Sequence, residues 1–222
     1  MAREKFEHDL QRLKDEILAL GAMAERAVAE SVRALKKRDT AKSHSIMDDD
    51  RLINEKRYAI ENETLTLIAT QQPMAGDLRI LAAIFEIATE LERIADYAKG
   101  IANITLMLGE EPLIKPLEDI PLMADKACDM LHRALDSFTR QDVEEARSIP
   151  REDSVVDSLY EKTYRELITC MMEDPRTTEQ ANRLTWVAHN LERVADRVGN
   201  ICERVVFSIT GRGEELDGPL PR

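Results

Sequence analysis

The sequence carries one charged phrase twice, LERIAD at residues 91–96 and LERVAD at residues 191–196. In each copy a glutamate and an aspartate stand four residues apart: Glu92 with Asp96, and Glu192 with Asp196. On a helix this spacing stacks two carboxylates on one face, about 5–6 Å apart at Cβ, where they repel. A bound cation removes that repulsion. Oxygen-rich sites suit magnesium, calcium, manganese or oxidised iron, and zinc tolerates them. The repeated spacing therefore points to metal chemistry, provided further oxygen ligands come near.

Such ligands stand on the preceding segments. Asp50 and Asn54 are four apart, and Asp153 and Asp157 are their counterparts in the second half. If neighbouring helices run antiparallel, each pair faces a Glu-x-x-x-Asp pair across a groove. The second half is richer: Asn200 is one turn past Asp196, Glu203 two turns past it, and His189 shares the Glu192 face. An ordinary explanation stands beside this one. Acidic pairs on helices are commonly solvated faces, and Glu92-Arg93 or Glu192-Arg193 can form surface ion pairs of little worth.

The elements that must position these residues are helical. Leu10, Leu13, Ile17, Leu20, Ala24, Val28, Val32 and Leu35 step by three or four, one face of a long helix. Ile46, Ile53, Ile60 and Leu67 recur by sevens in the next segment, and Ile84, Ile87, Leu91, Ile94, Ala98 and Ile101 line a third. Glu92 and Asp96 fall on another face of that third helix, roughly 140° from its apolar stripe. Asp39-Thr40 can cap the second helix. Pro73 and Gly76 mark a turn before the third, and LGEEPLIKP at 108–116 marks a linker between halves.

The second half repeats the first. At an offset of 103, Asp39 matches Asp142, Ile46 matches Ile149 and Asp50 matches Asp153. At an offset of 100, Leu91 matches Leu191 and Ile101 matches Ile201. The pattern predicts an all-α chain of two tandem, pseudo-symmetric three-helix bundles, at residues 1–110 and 111–210, with a flexible Gly/Pro-rich tail at 211–222. Pro150 kinks the fifth helix or marks its start.

Composition narrows the function classes. The formal net charge is -12 and aromatics are 4% of residues, so nucleic acid and anionic membrane surfaces are poor partners. The three cysteines, Cys128, Cys170 and Cys202, form no CxxC and suit a reducing compartment. The N-terminus lacks an apolar signal core and no segment has the apolar length of a membrane span, so a cytoplasmic location is expected. No GxxxxGK or GxGxxG loop is present to bind a nucleotide. No ExxH motif of the di-iron bundle enzymes occurs either, although a carboxylate-bridged metalloenzyme and a metal-free structural bundle both stand as alternatives.

The duplicated architecture resembles the PhoU family of bacterial phosphate-transport regulators. The matching phrases are DDDRLIN at 48–54, QQPMAGDLR at 71–79, LERIADYAKGIAN at 91–103 and HNLERVADRVGNICE at 189–203, and the resemblance spans residues 6–209. It implies two three-helix bundles and, in some members, multinuclear metal clusters on the repeated motifs. The ions expected here are iron or zinc ahead of magnesium, manganese or calcium. The matching positions are Glu92, Asp96, Glu192 and Asp196, faced by Asp50, Asp153 and Asp157. Asn54 departs from the expected acid and Gly100 from the residue type shown by Asn200, which weakens a first-half site. The resemblance further implies a non-enzymatic negative regulator of the phosphate-starvation response. It would link a phosphate ABC transporter's ATPase to a sensor histidine kinase at the membrane face, without being integral to the membrane. Exposed helical faces make a homodimer the expected assembly.

Overall fold

A computed structural model describes residues 2–109 and 111–216. Three long helices form the first half: α1 (Ala2–Lys37), α2 (Thr40–Gln71) and α3 (Ala75–Leu108). The second half comprises α4 (Asp119–Arg140), a short α5 (Val143–Ser148), α6 (Asp153–Glu173) and α7 (Thr178–Thr210). No strand occurs among the described residues. The apolar ladders read from the sequence are the buried faces: Leu13, Ile17, Leu20, Ile84, Ile87, Leu91 and Ile94 are fully enclosed.

The two halves use the same joints. Asp39 caps α2, its carboxylate accepting from the Lys42 amide at 2.8 Å. Asp142, its counterpart, caps α5 and accepts from the Glu145 amide at 3.0 Å. These bonds satisfy amides that the first helical turn leaves without partners. The residue before each cap, Arg38 or Gln141, has positive φ, 60° and 56°. Arg38 is also drawn across the bundle, where its guanidinium donates to the Leu108 carbonyl at 2.9 Å and the Gly109 carbonyl at 3.1 Å. A cation there satisfies the carbonyls at the end of α3.

Pro150 accounts for a break in symmetry. Where α2 is continuous, the second half is divided into α5, a 3-10 turn at Ile149–Glu152, and α6. Proline lacks an amide hydrogen and its ring displaces the carbonyl one turn back, so the helix cannot run through it unchanged. Lys126 and Arg133 of α4 both bind Glu152 and hold the bend.

Each half closes around its own three-helix layout, α2 lying on α1 and α3, and α6 lying on α4 and α7. The halves then share one continuous apolar core. Helix α1 meets α4 closely at Gly21, where an added Cβ would stand 2.1 Å from Leu135 Cδ1. Helices α3 and α7 run antiparallel, as the pairs Glu86·Arg204, Glu90·Asn200 and Met107·Arg183 show. The connection between halves is anchored to α7, with Gln180 donating to the Pro112 carbonyl at 3.1 Å and accepting from the Ile114 amide. At the other end, Glu214 pairs with Arg147 at 2.9 Å, and the Leu216 amide donates to Glu203 at 3.1 Å. The remainder of the expected tail, residues 217–222, lies outside the described residues.

Glu90 is 8% exposed at the α3–α7 seam. It accepts from Arg93 at 2.6 Å, from Asn200 at 3.0 Å and from Arg197 at 3.4 Å. Removing the carboxylate leaves Arg197 half-enclosed without its counter-charge, which costs far more than losing an exposed pair. Glu90→Ala is expected to lower stability by about 2–3 kcal/mol, a fall in melting temperature of roughly 5–10 °C. Glu86→Ala, at an exposed pair of the same seam, should cost at most about 0.5 kcal/mol. Thermal melts of the two variants compare them directly.

Candidate metal centres

Each half brings the repeated acidic pair against the preceding helix. In the first, Asp50 from α2 faces Glu92 and Asp96 from α3. Asp50 is 6% exposed. Its Oδ2 accepts from Lys99 Nζ at 2.6 Å and from Asn54 Nδ2 at 3.2 Å, while its buried Oδ1 has no hydrogen-bond partner. Burial raises the pKa of Glu92 above the usual carboxylate value, and Asp96 and Asp50 raise it further. Asp96 is raised for the same reasons, first by burial and then by Asp50. Arg57 opposes both shifts, and Lys99 opposes that of Asp96. The Lys99 ammonium is itself raised, chiefly by its hydrogen bond to Asp50.

The second half has the same acidic layout with a different counter-charge. Burial raises Glu192, and Asp196 and Asp157 add to it. Burial likewise raises Asp157, followed by repulsion from Asp196 and Glu161. Asp153 starts α6 one turn before Asp157. His189 Nδ1 lies 3.2 Å from Glu192, and Arg193 pairs with Asp196 at 2.6 Å. His189 also meets Trp186 edge-on at 5.6 Å between ring centroids, and Tyr160 at 6.3 Å. The lysine and arginine of the first half have no equivalents: Gly199 stands opposite Lys99, and Tyr160 opposite Arg57.

Two sequence-predicted ligands are placed elsewhere. Asn200 is turned onto the α3–α7 seam, where its amide donates to Glu90. Glu203 is about 10 Å along the helix axis from Asp196, and it accepts from the Leu216 amide and sits 3.6 Å from Arg204. Both line a cavity of about 380 Å³ with Phe85, Glu90 and Arg93. Asn54 does lie at the first cluster, but as a donor to Asp50.

The donor sets differ in how they suit a metal ion. As the side chains stand, no three Asp, Glu, His or Cys residues among those described enclose an ion position. The second half fits a hard cation in its chemistry, because repelling oxygens of Asp157, Glu192 and Asp196 gather where His189 and Arg193 are the opposing groups among the described residues. The first half fits poorly. A tethered ammonium already occupies Asp50, and Asn54 presents an N–H there. Sequence reasoning passed over Lys99 and Arg57, although the half-to-half alignment exposes both as differences. It also passed over Glu90, whose counterpart Asn190 lies against Gly100 at the symmetric point of the seam.

The comparisons with known proteins follow the same layout. The model of the PhoU domain matches twice, at residues 17–105 and 120–205. The phosphate-specific transport system accessory protein PhoU homolog of Clostridium acetobutylicum is 35% identical over 218 residues, spanning 98% of this chain and 100% of that protein. The accessory protein PhoU of Escherichia coli K12 is 33% identical, over 96% of this chain and 91% of its own length. The crystal structure of PhoU from Pseudomonas aeruginosa superposes with a TM-score of 0.87 at 32% identity, covering 93% of this chain and all of that one. The phosphate transport system regulatory protein PhoU from Streptococcus pneumoniae matches with the same TM-score at 30% identity, over 94% of this chain and 99% of its own. With the duplicated bundle, the repeated acidic phrase and full-length relatives in agreement, this chain belongs to the PhoU family.

Proposed function

We propose that this protein is a non-enzymatic accessory of the phosphate transport system that represses phosphate uptake and the phosphate-starvation (Pho regulon) response. In this reading it is a cytoplasmic homodimer that couples the ATPase of a phosphate ABC transporter to a sensor histidine kinase. Metal ions held by its carboxylates brace the docking faces. The observation that carries the reading is similarity over nearly the whole chain to proteins named phosphate-specific transport system accessory protein. The surface is compatible with protein partners, since α2 leaves Leu52, Tyr58 and Leu65 exposed. No described helix is long and apolar enough to cross a membrane, so contact with a membrane transporter would run through the transporter's own exposed parts.

The regulatory reading is tested with a phosphate-starvation reporter such as secreted alkaline phosphatase, assayed in phosphate-rich medium. A strain lacking the protein should show high activity, and the intact protein should return it to the repressed level. The variant with Glu92, Asp96, Glu192 and Asp196 all changed to Ala should fail to repress. A deletion strain that stays repressed would overturn the reading.

The metal reading has its own thermodynamic signature. Glu192 and Asp157 have raised pKa values in the fold. For a carboxylate this means that ionisation opposes folding: the penalty is fully present above the folded-state pKa and disappears as pH falls through it. In chelator, a Glu192→Gln, Asp157→Asn variant should therefore melt about 1–3 °C above wild type at pH 7. The gap should close as the pH drops toward 4. Adding manganese(II) or zinc(II) should reverse the order, because an ion bound only by the native state stabilises wild type by about 2.7 kcal/mol at one hundred times its Kd. A wild-type melt unmoved by either ion would defeat the assignment.

A further inference from the structure

We infer that Lys99 is a built-in replacement for a metal ion in the first half, so that cation binding by this chain is confined to the second. The proposal rests on the metal reading above for the second half only. For the first half it stands on the geometry of Asp50, Glu92, Asp96 and Lys99.

Asp50 is the deepest of the four α2 and α3 side chains, and its inner oxygen Oδ1 is buried with no hydrogen bond. A carboxylate so placed requires a positive charge close by. Lys99 supplies it from α3, three residues past Asp96, with its ammonium 2.6 Å from Asp50 Oδ2. Side-chain direction explains the reach: residues 92, 96 and 99 share the α3 face turned toward α2, so a long flexible stem from position 99 arrives over the Asp50–Asp96 gap. Arg57, one turn beyond Asn54 on α2, stands near Glu92 while pairing with Glu61. The first cluster thus sets three carboxylates against two covalently attached cations. Asn54 completes it as an N–H donor to Asp50, a role a metal-coordinating amide oxygen could not fill.

The second half lacks every one of these substitutions. Position 199 is glycine and cannot deliver a charge, position 160 is tyrosine, and Asp157 takes the place of Asn54. The residues that changed between the halves remove the cations beside Asp50 and Glu92, and leave the second half with Arg193 on Asp196 and His189 beside Glu192. A tethered ammonium and a divalent ion compete for the same oxygens, so a cluster that contains one disfavours the other.

The test compares intact full-length protein with Lys99→Met, Lys99→Arg and Asp196→Asn. Each is stripped with chelator, then followed by thermal melting and by equilibrium dialysis against manganese(II). Lys99→Met is expected to melt about 4 °C or more below wild type in chelator, to recover on adding manganese(II), and to bind one ion more than wild type. Lys99→Arg, which keeps a charge in place, should melt close to wild type and gain no ion. Asp196→Asn should bind none. Manganese retained when Asp196→Asn is combined with Glu192→Gln and Asp157→Asn would show that the first half takes metal despite Lys99, and would overturn the inference. So would a Lys99→Met protein that melts like wild type and gains no ion. If wild type binds no manganese in either half, the second-half metal assignment fails by itself, and the manganese dependence of Lys99→Met still decides the role of Lys99.

Discussion

The buried contact between α3 and α7 governs where everything else in this molecule can sit. Both helices are the last of their halves, and both must pack inward on their own bundle and sideways on each other. Packing of two long antiparallel helices has little intrinsic register, because apolar side chains slide with small cost. Glu90 removes that freedom. Beside its own helix's Arg93, this nearly enclosed carboxylate must find Arg197 and Asn200 of α7 together, and only one axial alignment of α3 with α7 supplies them. Once that alignment is set, Glu92 and Asp96 are turned toward α2, and Glu192 and Asp196 toward α6.

This divides the repeated phrase into two jobs. On α3 the residues 90, 97 and 100 meet α7, while 92, 96 and 99 meet α2, and the apolar residues 84, 87, 91 and 94 fill the core between. A helix with three working faces has few free positions, which gives a physical reason for charged and apolar letters to repeat together. The halves are related by approximate symmetry, with Glu90 exchanging for Asn190 and Asn200 for Gly100. Its members are unequal: Glu90 accepts a charge-assisted hydrogen bond from Asn200, whereas Asn190 faces a glycine. Duplication followed by divergence has left one symmetric scaffold with two chemically different clusters.

Much of the architecture was legible because it depends on periodicity and local chemistry. The apolar ladders of α1 and α3, the caps Asp39 and Asp142, and the disruption at Pro150 all follow from spacing within a few residues of chain. The convergence of Asp50 on Glu92 and Asp96 was also readable, since antiparallel neighbours must bring those faces together. What spacing could not supply was the competition for each side chain. Asn200 lies one turn beyond Asp196, as a ligand would, yet Glu90 on a distant segment claims its amide. Lys99 is close in sequence to Asp96, but its flexible stem gives no sign of which carboxylate it will reach. Polar side chains near a helix edge are decided by tertiary partners, and those partners are distant in sequence, 49 residues away for Lys99 and 110 for Asn200.

The position of Trp186 gives the molecule a built-in optical reporter. It is the single tryptophan of the chain, it is half exposed, and it stands edge-on to His189, which in turn touches Glu192. The first half contains no such fluorophore. Tryptophan emission from this protein therefore comes from one half of a nearly symmetric body, and a change of charge at His189 or Glu192 alters the surroundings of the emitting ring. Two clusters that scattering or circular dichroism would average together can be told apart by a spectroscopic signal native to only one of them.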